Sequence, residues 1–528
     1  MKRILFLYLS IELFIFSAAN HAWSDSTLTE NNEIVVNGCQ TGVLDRVYNG
    51  NLISTWIEKC SLTAKNHGDL VSCVARLTRK LKKTGIINRK EKGALRKCAA
   101  RKSTIVLYNA LIYTMENDPF TAEAVFIREN KIKAIGTNEK ILAKAKKNTV
   151  RIDLGGRAVF PGFIDPHTHL FNEFPSQNIT LDEAQQLALE NGVTSVANMY
   201  TDPSWIEYIM AYAQDGNMRL RLYLYLNYNH SCGDVFGTWY EEFAPRVEHA
   251  PKVWVNGVKI MAERSVCEGQ GVRPVFSDSL LENFTAYGLS LYEDSQLHLS
   301  LDELTAVIQR ANDYGYQVAI HAIGDLGIET SLSAINSSIN GSANKYRHMI
   351  LHNYFIRDDM LDSYSEGNIV ALVESTSPCH ANSYVERVGE PNRRLFKRWR
   401  DLVDTGIHVG LNSDWPFFGL SGLDPMRKLY AVVTGKNGFE VFEPDEPCEP
   451  PVEDQTISVL QGLKMLTSDA AYAMHIEKRL GTIKTGKIAD LVVLSDNPFD
   501  VDPNDIKTIE VLMTMIDGKI AFRSEDLP

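Results

Sequence analysis

The chain has 528 residues, of which 44% are hydrophobic and 23% charged, and a formal net charge of −12. These proportions exclude a largely disordered chain and a multi-span membrane protein, and they leave room for two or three domains built on a sizeable core.

Residues 1–19 begin with Lys2 and Arg3, continue as an apolar run and end in Ser17, Ala18 and Ala19, the layout of a secretory signal peptide cleaved after Ala19 or Ala22. Glu12 is an unusual charge within the run, and an uncleaved anchor is the alternative. The run is short for a span, however, and no basic stop-transfer flank follows it. The expectation is export to the periplasm or outside the cell, where disulfides persist.

Residues 20–103 read as a small helical module with four cysteines. An even cluster in an exported chain reads as two bridges, and Cys60–Cys73 nested within Cys39–Cys98 fits two short helices, ISTWIEKCSL and LVSCVARLTRKL, joined by a loop. Residues 38–102 carry 15 Lys and Arg against 4 Asp and Glu, an asymmetry that suggests an appended unit. Its runs RLTRKLKK and RKEKGALRK can dock on anionic lipid, on polysaccharide or on the acidic body of the same protein, or remain a solvated face. Nucleic acid is not an expected partner outside the cytoplasm, and a homo-oligomer stays open.

From residue 104 the texture changes to short apolar stretches with turn residues, and a comparable stretch closes the chain. Segments 104–158 and 477–528 are expected to pair into one discontinuous β-sandwich. Between them, 159–476 repeats an apolar strand followed by a longer helical segment. Strands are predicted at 158–165, 192–199, 219–227, 255–262, 316–321, 347–352, 368–375 and 406–412, and eight such units make a (β/α)8 barrel in an α/β protein. The acidic, proline-rich stretch 440–454 reads as an exposed loop after the last of them.

In that fold the chemistry sits at the C-terminal ends of the strands. The first predicted strand delivers His167 and His169, which at i and i+2 on extended backbone point the same way and can reach one metal ion. The fourth offers Lys259 in an apolar setting, the fifth ends at His321, the sixth at His352, and Asp414 follows the eighth. Imidazole with carboxylate suits Zn2+, Ni2+, Mn2+ or Fe2+, and such ions make hydroxide available near neutral pH.

With these residues in place, the chain resembles the amidohydrolase superfamily over 104–525. The resemblance rests on IDLGGRAVFPGFIDPHTHL, Lys259, HAIGD, His352, NSDWP and the tail LTSDAAYAMHIEKRLGTIKTGKIADLVVLSDNP. It looks closest to the branch that includes N-substituted formamide deformylases. The resemblance implies two divalent ions, zinc in first place. His167 and His169 bind one, His321 and His352 the other, and a CO2-derived carbamate on Lys259 bridges them. Asp414 completes the set of ligands around the first ion and acts as the catalytic base and acid. The implied reaction is hydrolysis of a small-molecule, non-peptide carbon–nitrogen bond, a linear or cyclic amide. An unmodified Lys259 beside a single metal is the competing reading of that position.

Two features depart from the branch. Only some twenty residues separate His169 from the second strand, where the branch usually has a long insertion, and Glu263-Arg264-Ser265 stands where Asp-Gly-Ser is expected. Arg264, His230 and His380 are candidate substrate contacts on loops at the barrel mouth. Cys232 and Cys267 form the expected third disulfide, with a cysteine metal ligand as the runner-up. Ser413 is expected to support the turn before Asp414. The alternatives are a mononuclear deaminase of the same fold, which usually offers a glutamate where Asp325 follows His321, and a catalytically inactive binding protein.

Overall fold

The computed structural model describes residues 32–527 apart from 37–38, 65–66, 119, 266, 268–271, 285–288, 290–294, 340, 342–343, 376–387 and 440–454. The leader, Cys379, His380, Cys448 and the acidic loop therefore lie outside the described residues.

The N-terminal module has three helices, α1 (Ile53–Thr63), α2 (His67–Lys83) and α3 (Arg89–Ala99). Asn88 starts α3 with a capping box, its side chain accepting from the backbone of Lys90 and Glu91 while Glu91 reaches back to the Asn88 N–H. Cys39 is joined to Cys98 and Cys60 to Cys73. The helical, disulfide-bonded module also contains a strand pair that was not expected. Glu33–Val36 and Cys39–Leu44 pair as an antiparallel hairpin with one buried face. Burial alternates along both strands although polarity in the sequence does not, with Val35 and Leu44 exposed, so the Asn37-Gly38 dipeptide was the hairpin signal that the cysteine count overshadowed.

Two sheets face each other next. One has four strands in the order Val150–Asp153, Thr104–Tyr108, Ala124–Arg128, Lys131–Gly136. The other has six: Lys519–Arg523, Val511–Ile516, Leu491–Leu494, Ala158–Pro161, Leu111–Tyr113 and Thr121–Ala122. The two ends of the chain meet where Val159 pairs with Val493. Leu107, Val125, Ile127, Val159, Leu491, Val493 and Met513 fill the space between the sheets.

Eight parallel strands follow: β1 (Phe163–Thr168), β2 (Val193–Thr201), β3 (Arg221–Asn227), β4 (Val253–Met261), β5 (Gln317–Ala322), β6 (Met349–His352), β7 (Val370–Glu374) and β8 (Val409–Asn412). Nearly every residue in them is buried, the continuous apolar pattern of a parallel sheet covered on both faces. The barrel closes at its mouth, where the Asp414 N–H donates to the His167 carbonyl (3.0 Å) and the His169 N–H to that of Trp415 (2.9 Å). Below, Ile164, Tyr223, Tyr225, Met349, Leu351 and Leu372 pack the interior.

The strand predicted at 158–165 is two strands. Residues 158–161 belong to the six-stranded sheet, and the barrel begins at Phe163. Gly162 makes the junction, since a Cβ there would stand 2.5 Å from Thr194 Cγ2. Sandwich and barrel are tied together by Arg221, at the start of β3, which pairs with Asp490 (2.9 Å) and Asp517 (2.6 Å) of the C-terminal strands.

Candidate metal centre

Each candidate ligand sits at the mouth because its strand ends there. His167 is the penultimate residue of β1 and His169 follows it. Lys259 pairs with Ala319 near the end of β4, two residues below the level of His321, and His352 ends β6. Alternation would send His352 outward with Ala322, its neighbour in register. A left-handed backbone at His352 (φ 74°) instead turns the ring inward, 4.4 Å from that of His321. Asp414 is also left-handed (φ 45°). Such conformations cost on the order of 1–3 kcal/mol for a non-glycine residue and collect where the surrounding structure dictates them.

Asp414 Oδ1 lies 3.1 Å from both His167 Nε2 and His169 Nε2. His321 Nδ1 is 2.7 Å from His352 Nε2. Two groups of donor atoms in the cluster could hold an ion, His167 with His169 and Asp414, and His167 with His352 and Glu374, and His321 borders the second through His352. Both nitrogens of His167, Nε2 of His321 and both oxygens of Glu374 are buried without a hydrogen bond. Orphaned lone pairs at this density are costly unless a cation collects them, so the donor set fits a divalent ion. Burial, with Lys259 and the neighbouring imidazoles, holds His167 and His321 well below the usual imidazole range, so both are neutral and able to donate a lone pair.

Burial brings Lys259 down to about 7, against the pull of Asp414 and Glu374 in the other direction. Burial pushes the Asp414 carboxyl up, but the His169 hydrogen bond and the charges of His352, His169 and Lys259 hold it below its ordinary value.

Beneath the histidines, Asp165 fastens β1 to β8. Its Oδ1 accepts from the backbone of Ser413 (3.1 Å) and His167 (3.4 Å), and its Oδ2 meets Lys428 Nζ at 3.1 Å. Ser413 supports the turn, its hydroxyl accepting from the Trp415 N–H (3.0 Å). Glu263 is a bracket for the neighbouring loop. Its buried carboxylate accepts from the backbone of Val275, Ile323 and Gly324, and burial raises it to about 7. Asp325 is taken by Ser277 and Arg357.

Among the candidate contacts, His230 accepts from the Cys232 N–H (3.1 Å), and its ring lies 5.9 Å from Tyr200, which is 6.2 Å from His169. Cys232 and Cys267 are bonded, so neither is a metal ligand, and Arg264 turns its guanidinium to the Cys267 carbonyl (3.5 Å). Two charged neighbours of the cluster escaped the sequence reading. Glu374 ends β7 with Oε1 3.0 Å from His352 Nδ1. Lys397, 2% exposed, is brought down to about 7 by burial against the pull of Glu374 and Asp414. The strand-end rule applied to VALVE would have flagged the first, whereas nothing local marks Lys397 among the arginines around it.

Residues 175–522 match the amidohydrolase family. An N-substituted formamide deformylase from Arthrobacter pascens is 25% identical over 242 residues, 45% of this chain and 41% of that protein. An imidazolonepropionase from Symbiobacterium thermophilum is 24% identical over 410 residues, 70% of this chain and 83% of that protein. The chain spans about half the length of the curated relatives that head the comparison. Among solved structures, a metal-dependent hydrolase from Pyrococcus furiosus shares the fold, with a TM-score of 0.59 at 18% identity over 75% of this chain and all of that one. With the barrel, the flanking sandwich and the family match in agreement, this chain belongs to the amidohydrolase family.

Proposed function

We propose that the protein hydrolyses a carbon–nitrogen bond of a small non-peptide amide, linear or cyclic, at a divalent metal centre. The observation that carries this reading is the Asp414 carboxylate shared between His167 and His169, opposite the His321–His352 pair, with Nδ1 of His167 and Nε2 of His321 buried and without a hydrogen bond. His167, His169 and Asp414 would hold one ion, His321 and His352 a second. A carbamate on Lys259 would join them, which the low proton affinity of that buried amine supports. Zinc suits this donor set, as do Ni2+, Mn2+ and Fe2+. Ions bound here supply Lewis acidity toward the scissile carbonyl and bring the pKa of water to about 7.

The remaining work belongs to the chain. Asp414, held ionised, takes a proton from the attacking water as the new carbon–oxygen bond forms. It then delivers that proton to the nitrogen as the carbon–nitrogen bond breaks. His169 Nε2 stands 3.1 Å from the accepting Asp414 Oδ1. Arg264 and His230, on loops clamped by Cys232–Cys267, and His380 would contact substrate. The deaminase alternative is weakened because Asp325 is already bonded to Arg357 and Ser277.

The test is release of amine or acid from N-substituted formamides, cyclic amides and N-acyl amino acids. The parent turns over at least one class, and Asp414→Asn loses about 10²–10⁴ in kcat. Metal-loaded protein inert toward all three classes would overturn the reading.

Export to the periplasm or beyond is part of the same proposal, supported by three disulfides. So is an anionic surface as partner of the basic module. On α2, Arg76, Arg79, Lys80 and Lys83 follow helical spacing on the face opposite buried Leu70, Val74, Thr78 and Leu81. Salt-sensitive sedimentation with anionic vesicles would support that contact, and none at low salt would refute it.

A further inference from the structure

An arginine at the barrel mouth stands without a carboxylate. Arg221, Arg347, Arg357 and Arg398 are each paired with Asp or Glu. Half-buried Arg264 is paired with no described carboxylate; its Nη2 reaches the Cys267 carbonyl at 3.5 Å, and its Nε is buried without a hydrogen bond. A guanidinium keeps its charge at any physiological pH, and its planar fork of N–H donors matches a carboxylate through two parallel bonds. A buried N–H without an acceptor is costly, and an anionic ligand removes that cost.

The surrounding backbone holds the fork in place. Arg264 follows β4, which ends at Met261, so it lies on the ligand-bearing face of the barrel. Its carbonyl accepts from the Arg273 N–H (3.1 Å), and the Ser265 N–H donates to the Ser231 carbonyl (3.3 Å). The Cys232–Cys267 bond ties the same two loops together. Behind them the His298 N–H donates to the Ala262 carbonyl (2.8 Å), and its ring packs under Gly233, where a Cβ would stand 3.2 Å from Cδ2. The β3 loop also carries His230, whose ring is 5.9 Å from Tyr200, itself 6.2 Å from the candidate ligand His169. Arg264 and the metal ligands therefore share one rim. Glycine is expected at this position in the branch that the sequence resembles, where Asp-Gly-Ser stands in place of Glu263-Arg264-Ser265. The guanidinium is thus an addition of this chain and not a feature of that branch.

We propose that Arg264 binds a carboxylate on the substrate, so that the amide hydrolysed is an anionic one: an N-acyl amino acid or a lactam carboxylic acid rather than a neutral amide. This rests on the metal-hydrolase reading and names its substrate class.

The test measures kcat and KM of the zinc-loaded full chain on paired compounds. N-formyl, N-acetyl and N-benzoyl amino acids and lactam carboxylic acids are each compared with the counterpart in which hydrogen replaces the carboxylate. The parent is expected to favour the acid of the pair in kcat/KM. In Arg264→Gln that preference should fall about 10–100-fold, the worth of a charge-assisted hydrogen bond. Arg264→Lys keeps the charge without the fork, so it should retain part of the preference, and it carries the test if the Gln variant folds poorly. Equal kcat/KM for acids and uncharged counterparts in the parent, or a preference unmoved by either substitution, would overturn this inference alone. A metal-loaded parent inert toward every pair would overturn the hydrolase reading and this inference with it.

Discussion

Substituting Lys428 by Met would remove one partner of a buried ion pair whose other member, Asp165, spans the seam of the barrel. Both side chains are about 1% exposed and their charged atoms are 3.1 Å apart. At an effective dielectric constant of about 20, two unit charges at that separation attract by roughly 5 kcal/mol. Much of that offsets their desolvation, so the observable is the cost of stranding one partner, about 3–5 kcal/mol. The variant should unfold in urea at a lower midpoint with an unchanged slope. Because Asp165 also holds the backbone of Ser413 and His167, zinc retention should fall alongside. Asp165→Asn combined with Lys428→Met keeps an acceptor for Ser413 and strands no charge, so most of the lost stability should return. A loss below about 1 kcal/mol for Lys428→Met, or a double variant no more stable than the single one, would refute the reasoning.

Three further outcomes follow from the geometry. Asp517 is pulled down to about 2: burial acts to raise it, but the charges of Arg221, Lys252 and Lys519 and the Arg221 hydrogen bond outweigh that. A depressed carboxyl stabilises the fold above its unfolded pKa, so up to about 2 kcal/mol should be lost as pH falls from 5 to 2, and Asp517→Asn should flatten that slope in acid-unfolding curves. Gly324→Ala places a Cβ 2.1 Å from the Val275 carbonyl oxygen, in the loop that Glu263 brackets. It should cost about 1–3 kcal/mol or more by thermal melt, and a neutral result would show that the loop shifts freely. Reducing the disulfides should open the module before the barrel. Loop closures of 59 and 13 residues contribute about 4 and 3 kcal/mol, so proteolysis under reductant should cut within 38–102 first.

The sequence announced chemistry wherever a residue type was out of place for its strand. Two histidines ending β1, a lysine within the apolar β4 and an aspartate after β8 were legible because strand ends in a barrel converge on one mouth. The disulfide partners could be chosen because cysteines on adjacent short elements have few geometries open to them. What escaped depended on tertiary context. The inward turn of His352 requires a positive φ that no local residue signals. Lys397 stands near the site because its backbone N–H is tied to the Tyr354 carbonyl, a tertiary contact that no local residue signals. The break within 158–165 was hidden because both halves are apolar, and only Gly162 marks the change of sheet.

The most direct test of the central claim is metal content of the purified protein by elemental analysis, with Lys259→Ala prepared in parallel and bicarbonate present in both. Two ions per chain in the parent, falling to one or none in the variant, is the result predicted for a centre joined through Lys259. One ion in both would make Lys259 a structural residue, and none in either would contradict the metal centre itself.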